Sequence, residues 1–475
     1  MKRSLAATAL VGVLATTSCS PASPPAAQGP SASAASSAPS PSGSPVTQPV
    51  LQPVVLAVHP SRGTVDLDLP TARAVIAGRV TSWAQVVPEA GGDALRLTGL
   101  AGTGVPAHRV VAGADAALRL VRSDARALAV VPASAVGPAV RVVRVAGVDP
   151  VRDPGRYPLR MTGPAPAGPV LTLTIGGDVM LGRRVGASAA RAGDPAAPLR
   201  PLAARLAGAD LTVLNLESTL SRAGAPRQAG DSFAAPPGAL PGLRAAGVDV
   251  LSLANNHTGD FGDRALLETI SRVRAAGIAP VGAGGNHAQA WRPALVSRGG
   301  VRFGFLSFNA IGETPRATGS GPGAASVRMP PRTGPLNTAD LTQLTRSVAK
   351  LRPLADVVVV LPHWGAQYTH RPHPAQRTVA RAVLAAGADL VVGGHPHWIQ
   401  PIDAFGNKLV AYSLGNLVFD MDFSRQTREG FLLELTFWGR RLKAAEPVPY
   451  RIGRDFAPRP VTGPAAAAVL RTLLR

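Results

Sequence analysis

Side chains of the types that bind metal ions follow five short apolar runs of the sequence. These runs are rich in Val, Leu and Ile and are bounded by Gly and Asn, which is typical of buried strands. The runs are Leu171–Ile175, Leu211–Leu214, Val248–Leu253, Val357–Leu361 and Leu390–Val392. The polar clusters that follow them are Gly177-Asp178, Asn215-Leu216-Glu217, Asn255-Asn256-His257, His363 and Gly394-His395-Pro396-His397. Sites in layered α/β folds assemble beyond the carboxyl ends of strands, so carboxylates, an amide and imidazoles at these ends predict a dinuclear metal centre.

Helical patterns alternate with these strand patterns and must hold the strand ends in place. Apolar residues recur at helical spacing over Arg264–Ala276, and Gly277 supplies a stop signal. The stretch Thr378–Ala386 has the same spacing and ends at Gly387. This alternation predicts an α/β layered domain over residues 170–475.

A smaller α/β lobe is predicted over residues 50–165. Its strand-like runs are Val54–Val58, Leu128–Val131 and Val140–Val145, and Leu69–Ala77 has a helical pattern. A chain of 475 residues is long enough for two such units, each with its own core.

The beginning of the chain has the order of a secretory signal. Lys2 and Arg3 precede the apolar stretch Leu5–Ala15, and the small residues Thr16-Thr17-Ser18 lead to Cys19. The sequence resembles a bacterial lipoprotein signal, which implies a signal peptide over residues 1–18 and a lipid on Cys19. A conventional cleaved signal is the alternative.

Residues 19–49 are predicted to be a disordered tether. Residues 20–49 contain no charged residue and consist mainly of Ser, Pro, Ala and Gly, so they cannot bury a core. Together with the lipid, the tether predicts an extracytoplasmic protein anchored to the cell membrane. Because Cys19 is the only cysteine, a disulfide within the chain is excluded.

The formal net charge is +21. Such a charge favours an anionic partner, such as a cell-wall polymer, phospholipid headgroups or an acidic substrate. The alternative is arginine enrichment spread over the surface without a specific partner. Because the sequence has no basic stripe interleaved with aromatic residues, we expect no nucleic-acid partner.

The five clusters, in this order, resemble the poly-gamma-glutamate capsule-synthesis protein (CapA) family, a branch of the calcineurin-like metallophosphatases. The segments that carry the resemblance are Gly177-Asp178-Val179-Met180-Leu181-Gly182-Arg183, Asn215-Leu216-Glu217, Asn255-Asn256-His257, His363-Trp364-Gly365 and Gly394-His395-Pro396-His397. It covers about residues 170–435. The resemblance implies a four-layer α/β/β/α sandwich with two divalent ions, Mn, Fe or Zn, between its central sheets.

The resemblance also implies a role for each site residue. Six side chains are expected to bind metal: Asp178, Glu217, Asn256, His363, His395 and His397. Among them, Asp178 and His397 hold the first ion, Glu217 bridges both ions, and the other three complete the second site.

Three further residues are expected near the reacting group. His257 is the expected proton donor, catalytic together with Asp178. Arg183 and Asn255 are expected to bind substrate, although a structural ion pair is equally open for Arg183.

These assignments imply a metal-dependent hydrolase of the cell envelope. Its substrate would be a phosphoester, or an amide of an anionic polymer such as poly-gamma-glutamate or its precursor. The alternative is a non-catalytic factor that binds or exports such a polymer, with capsule synthesis or export proteins as possible partners. Two departures favour this alternative. Met180 stands where phosphatases of the superfamily usually have His, as is usual for the capsule branch, and Gln367 stands where this branch often has Glu.

The smaller lobe has a resemblance of its own. The segment from Asp68 to Trp83 and the segment Tyr157-Pro158-Leu159 resemble parts of the phosphate-type solute-binding proteins of ABC transporters. The phosphate-gripping loop of that family has only a weak counterpart at Gly102-Thr103-Gly104. The lobe is therefore interpreted as a ligand-binding lobe or, alternatively, as a spacer or interaction module.

Overall fold

The computed structural model describes residues 51–87, 92–228 and 230–474. The predicted signal peptide, the predicted tether and Cys19 lie outside these residues. No helix among the described residues combines the length and the apolar character that crossing a bilayer requires.

The first elements form the smaller lobe. Its strands are β1 Leu51–Val58, β2 Asp66–Leu67, β3 Arg96–Leu100, β4 Arg109–Val111, β5 Ala127–Pro132, β6 Arg141–Val142, β7 Arg144–Val145 and β8 Arg160–Thr162. Its helices are α1 Leu69–Ile76 and α2 Ala114–Ser123. The main sheet of the lobe has the order β4-β3-β5-β1-β6, and β8 pairs with β1. The buried rings of Trp83 and Tyr157 lie in the core of the lobe.

The following strands belong to the larger part of the chain. They are β9 Val170–Val179, β10 Leu211–Leu216, β11 Thr219–Leu220, β12 Ala234–Ala235, β13 Val250–Ser252, β14 Ala279–Val281, β15 Ala283–Gly284, β16 Ala294–Arg298, β17 Val301–Asn309, β18 Gly323–Ala324, β19 Val357–His363, β20 Leu390–Val392, β21 Ile402–Phe405, β22 Lys408–Ala411, β23 Asn416–Val418, β24 Glu429–Trp438, β25 Arg441–Ile452 and β26 Pro458–Pro460. The helices are α3 Arg183–Arg191, α4 Arg200–Ala207, α5 Leu240–Ala245, α6 Gly262–Ala275, α7 His287–Ala290, α8 Thr338–Leu351, α9 Pro374–Ala385 and α10 Gly463–Thr472.

Two mixed sheets dominate this part. The first has the order β14-β13-β10-β9-β24-β25-β26, with β23 also paired to β9. The second has the order β16-β17-β19-β20-β22-β21. The strands that carry the polar clusters run parallel to one another within each sheet: β9, β10 and β13 in the first, and β19 and β20 in the second. Parallel strands end at the same edge of a sheet, so each sheet collects its polar clusters along one edge.

The two sheets pack face to face through an apolar core. Leu173 and Ile175 of the first sheet share this core with Phe305 and Val359 of the second. Strands that are buried on both faces read as continuous apolar runs, which explains why these segments do not alternate.

Helices cover the outer face of each sheet. Helices α4, α5 and α6 pack on the first sheet, and helices α8 and α9 pack on the second. The layers therefore follow the order α/β/β/α, and the fold class predicted from the sequence is confirmed.

The predicted helices and strands lie close to the observed ones. Helix α6 begins two residues before the predicted Arg264, and β20 has the predicted bounds. Helix α9 begins at Pro374, four residues before the predicted start, because His373 caps it and proline fits its first turn. The predicted strand Val140–Val145 is divided into β6 and β7.

The smaller lobe packs on the first sheet. The carboxylate of Glu446 in β25 contacts Arg141 at 3.4 Å and Arg144 at 2.9 Å. The indole Nε1 of Trp438 in β24 donates to the carbonyl of Val151 at 2.7 Å. The two parts belong to one compact unit, Pro49–Arg475.

Candidate metal centre

The carboxyl ends of three adjacent strands bring the first site residues together. Asn215 of β10 and Asn416 of β23 both lie in register with Asp178 of β9. His363 ends β19 in the second sheet and forms a bridge with Gly394, just beyond β20. The polar edges of the two sheets meet at one place, because the backbone amide of His395 donates to Asp178 and the side chain of Asn215 contacts His363.

Two groups of buried side chains at this place could hold a metal ion. One consists of Glu217, His395 and His397, and the other of Asp178, Glu217 and His363. In each group the candidate ligand atoms all lie within 4.8 Å of one another. Glu217 belongs to both groups, which is the position that a bridging carboxylate requires.

The carboxylate of Glu217 is buried without a hydrogen-bond partner for either oxygen. Both ring nitrogens of the buried His395 also lack a partner. Burial, with a smaller contribution from Asp260 and other acidic groups, raises the pKa of Glu217 to about 8. A buried polar group without a partner costs about 1–3 kcal/mol, and more when it is charged. A bound cation would satisfy both residues, so the donor set fits a metal ion.

Asp178 is held by hydrogen bonds on both carboxylate oxygens. Oδ1 accepts from the side chain of Asn215 at 2.8 Å, and Oδ2 accepts from the backbone amide of His395 at 3.0 Å. Burial, together with the charge of Glu217, raises the pKa of Asp178 to about 7. A side chain at Gly394 would collide with this carboxylate, so a glycine is needed there.

The three imidazoles of the two groups are neutral. Burial lowers the pKa of His363 to about 4 and that of His397 to about 3, and it places that of His395 well below the ordinary value. A neutral imidazole has a free nitrogen lone pair, which is the form that binds metal ions.

Neighbouring amides fix the orientation of two of these rings. Nδ1 of His397 lies 2.8 Å from Oδ1 of Asn416 and donates to it, which leaves Nε2 as the free nitrogen. The Asn416 amide is itself held, because its Nδ2 donates to the carbonyl of Thr427 at 3.0 Å. Nδ1 of His363 lies 3.3 Å from Nδ2 of Asn215 and accepts from it.

The side-chain oxygen of Asn256 faces the site. Oδ1 lies 2.9 Å from Nε2 of His363, while Nδ2 donates to Glu313 at 2.7 Å. Arg332 holds Glu313 through a 2.7 Å ion pair. Because Glu313 fixes the amide nitrogen outward, the oxygen of Asn256 is oriented toward the other metal-binding groups.

His257 lies beside these groups with its ring fixed on two sides. Nδ1 is 2.8 Å from Oδ2 of Asp260, and the ring stacks on Phe233 with centroids 3.7 Å apart. Nε2 lies 4.0 Å from an oxygen of Glu217. Burial alone would lower the pKa of His257, but the hydrogen bond to Asp260 and the nearby Glu217 raise it overall. The raised pKa favours the protonated ring, in which Nε2 is the nitrogen that faces Glu217.

The two residues expected to bind substrate lie in different surroundings. Arg183 pairs with the buried Asp420 through Nε at 3.1 Å, and its guanidinium lies 4.5 Å from the Phe233 ring centroid. Asn255 is buried: its Nδ2 donates to Asn215 and to the carbonyl of Leu216, and its Oδ1 accepts from two groups of the same loop. The polar atoms of Asn255 are thus occupied within the protein, and its expected substrate contact stays a prediction.

Met180 and Gln367, which depart from the expected residue types, lie in different surroundings. Met180 is buried in the core between the first sheet and its helices, and its sulfur accepts from the amide of Gly182 at 3.1 Å. It is thus part of the packing around the site. Gln367 is half-buried in the loop that follows β19.

Sequence reasoning assigned no role to three residues that orient the site. Asn215 lies in the same cluster as Glu217, and Asp260 follows His257 by three residues, so proximity was an available signal for both. Glu313 lies more than fifty residues after Asn256, in a loop where its backbone adopts a φ of 62°. No local pattern in the sequence places Glu313 near the site.

The sequence model of one protein family matches residues 172–421, which is more than half of the chain. The family is described as bacterial capsule synthesis protein PGA_cap. The matched segment contains the metal-binding groups and His257.

Three individual proteins are similar to this chain in sequence or in structure. The capsule biosynthesis protein CapA of Bacillus anthracis is 32% identical over 297 residues, covering 62% of this chain and 70% of that protein. A probable polyglutamine synthesis accessory protein of Mycobacterium tuberculosis is 30% identical over 292 residues, covering 53% and 75%. A hypothetical protein from Thermus thermophilus has a crystal structure that aligns over 59% of this chain and 99% of its own, with 17% identity and a TM-score of 0.36.

We expect metal binding to release protons near neutral pH. The pKa values of Asp178 and Glu217, about 7 and about 8, mean that both carboxyl groups carry protons at about pH 6.5 in the metal-free protein. A metal ion binds only the deprotonated groups, so affinity should rise between about pH 6 and 9. Titration calorimetry with Mn²⁺ in two buffers of different ionisation enthalpy measures the release, which should be one to two protons at about pH 6.5 and fall toward zero above pH 9.

Two variants test whether the released proton comes from Glu217. Glu217→Gln should bind Mn²⁺ more weakly and release about one proton fewer. Glu268→Gln removes a carboxylate of helix α6 that lies outside both groups and should behave like the wild type. A release that is the same at both pH values, or that Glu217→Gln leaves unchanged, would contradict the assignment.

Proposed function

This chain belongs to the bacterial capsule synthesis protein PGA_cap family, and from that membership we propose that it is a metal-dependent hydrolase of the cell envelope. Its substrate is a phosphoester, or an amide within an anionic polymer such as poly-gamma-glutamate or its precursor. One observation carries this proposal: the buried carboxylate of Glu217 has no hydrogen-bond partner and belongs to both groups of side chains that could hold a metal ion.

The proposed cofactor is a pair of divalent ions, which Glu217 and the side chains around it would hold. One group of candidate ligands combines this carboxylate with Asp178 and His363, and the other combines it with His395 and His397. Asn256 adds an amide oxygen next to His363. Imidazole and carboxylate ligands suit Mn, Fe or Zn. When bound, such a pair supplies a water nucleophile at neutral pH and stabilises negative charge on the attacked group.

His257 supplies the proton for the leaving group in this proposal. Asp260 accepts from Nδ1, so the proton that is delivered comes from Nε2, the nitrogen that faces Glu217. Phe233 covers one face of the ring, which limits its rotation. His257 is therefore a proton donor with a fixed direction, which is the requirement for general acid catalysis of amide or phosphoester cleavage.

Positive charge at the rim favours an anionic substrate. The guanidinium of Arg183 is about one-third exposed, and only the exposed Asp231, at 3.9 Å, faces it besides Asp420 among the described residues. The net charge of +21 adds a long-range attraction for anions. We infer that Arg183 guides a carboxylate or phosphate of the substrate toward the metal-binding groups.

A second candidate function is a non-catalytic factor that binds or exports the polymer. The position of Met180 favours it, because an apolar side chain packed in the core replaces an imidazole that would strengthen the first metal position. Such a factor would act with capsule synthesis or export proteins and would need the metal ions for structure alone.

We also propose that the protein works outside the cytoplasm, held to the cell membrane by a lipid on Cys19. The order of charged, apolar and small residues before Cys19 supports this location. A capsule polymer lies at the cell surface, so an anchored protein would meet it there.

Cleavage distinguishes the two candidate functions. Protein loaded with Mn²⁺ is assayed on a chromogenic phosphodiester and on poly-gamma-glutamate. We expect His257→Asn to reduce turnover by about 10²- to 10⁴-fold without changing the metal content, because His257 lies outside both metal-binding groups. The matched control is His287→Asn, in the short helix α7.

The outcomes of this assay distinguish the hydrolase from the binding factor. Equal turnover by His257→Asn and the wild type would contradict the catalytic role. A wild type that binds metal and polymer but cleaves neither substrate, with Mn, Fe or Zn, would reject the hydrolase and support the binding factor.

The anchor has its own test. Cys19→Ser should move the protein from the membrane fraction to the soluble fraction and abolish incorporation of a labelled fatty acid, since the cysteine sulfur carries the lipid. Ser23→Ala, within the predicted tether, is the control. A Cys19→Ser protein that stays with the membranes would count against the lipid anchor.

A further inference from the structure

A groove with basic walls begins next to the metal centre. Its first cavity, of about 660 Å³, is lined by Tyr368, Arg371, Arg377 and Trp398, among others. The ring of Tyr368 stacks against His397 with centroids 5.9 Å apart. The wall of this cavity therefore contacts one of the candidate metal ligands through Tyr368.

A second cavity lies further along helix α9, at the seam between the smaller lobe and the sheets. Arg377 pairs at 2.7 Å with Asp403, which lines this second cavity of about 490 Å³. Arg381, one helical turn beyond Arg377, lines this second cavity as well. The second cavity shares Arg122 and Val140 with a third cavity of about 430 Å³. The three cavities together are called the basic groove here.

The cations of the basic groove outnumber its carboxylates. Six of them form no ion pair with a carboxylate of the described residues: Arg119, Arg122, Arg371, Arg381, Arg441 and Lys443. The carboxylates that line the three cavities are Asp115 and Asp403, and Asp403 is already paired with Arg377. This excess of positive charge favours an anionic occupant.

Besides the excess of positive charge, Lys443 is an independent indication that the basic groove binds an anion. It lines the third cavity, yet its residue is only 4% exposed, and its ammonium donates to one neutral group, the carbonyl of Ser134 at 2.8 Å. The ring of Trp438 lies 5.0 Å away. Burial, aided by Arg441, lowers the pKa of Lys443 to about 8. A buried ammonium without a carboxylate is costly, and an anion bound in the cavity would offset that cost.

The length of the groove indicates the size of the occupant. Lys443 lies beside Trp438, which is in register with Val170 at the start of β9, whereas Asp178 lies near the end of the same strand. The eight residue steps from Val170 to Asp178 span roughly 26 Å in a strand. A small anion cannot contact both ends, but a chain of repeated anionic units can.

We propose that the basic groove binds an extended chain of carboxylates, with one end at the metal centre and the following units along helix α9 toward Lys443. This inference rests on the proposed function, since it names the class of substrate that the same site would take. The exposed ring of Phe405 lines the second cavity and offers an apolar surface for the methylene groups of such a chain. The arginines then pair with its carboxylates.

The test uses two double variants that remove the same charge. Arg122→Gln with Arg441→Gln changes the third cavity, where both side chains are exposed, so folding should be preserved. Arg346→Gln with Lys350→Gln changes exposed residues of helix α8 that do not line the groove. The dissociation constant is measured near physiological salt for long poly-gamma-glutamate and for the gamma-glutamyl dipeptide.

We expect the groove variant to bind the long polymer about five-fold or more weakly than the wild type, since two exposed ion pairs are lost. The control variant should stay within about two-fold, because its charges are not in contact with the chain. The gain in affinity from dipeptide to long polymer should shrink in the groove variant alone.

Three results would overturn the inference. Equal weakening in both double variants would mean that net charge, and not the groove, attracts the polymer. Unchanged binding in the groove variant would place the chain elsewhere. Capture by vesicles rich in anionic lipid, without binding of the polymer, would assign the groove to a membrane surface. A protein that binds the polymer through the groove but does not cleave it would reject the hydrolase alone.

Discussion

The metal centre depends on one unfavourable group, the buried carboxylate of Glu217. Its two oxygens have no hydrogen-bond partner, and its pKa is raised to about 8 by burial. A protein gains nothing from such a group unless something positive compensates it. The surrounding amides leave Nε2 of His397 free and hold Nε2 of His363 next to the oxygen of Asn256. A cation bound next to Glu217 would explain each of these contacts.

The sequence predicted the positions of the site residues along the chain because those signals are local. Apolar runs ended by Gly, Asn and His marked the strand ends, and β20 was predicted with its observed bounds. The layered fold followed from the alternation of strand and helix patterns. The division of the ligands between two ions, which the family resemblance implies, stays a prediction. It depends on turns in which His395 and His397 adopt φ values of 93° and 57°, and no local pattern encodes such turns.

The position of the smaller lobe suggests a role other than the ligand-binding role predicted for it. Helix α2 contributes Arg119 and Arg122 to the wall of a groove that it shares with the sheets. The ion pairs between Glu446 and the arginines of the lobe hold this wall in place. In this account the lobe extends the substrate site of the larger domain, and its resemblance to phosphate-type solute-binding proteins stays a prediction. Sequence patterns did not reveal the groove, because its arginines come from distant segments and are aligned only by the fold.

Anomalous X-ray scattering from crystals grown with Mn²⁺ tests the central claim most directly. The account predicts two anomalous peaks about 3.5–4 Å apart, with the carboxylate of Glu217 between them. Asp178 and His363 should contact one or both peaks, as should His395 and His397. Crystals that contain manganese but show no peak next to Glu217, or show their peaks only at the protein surface, would contradict it.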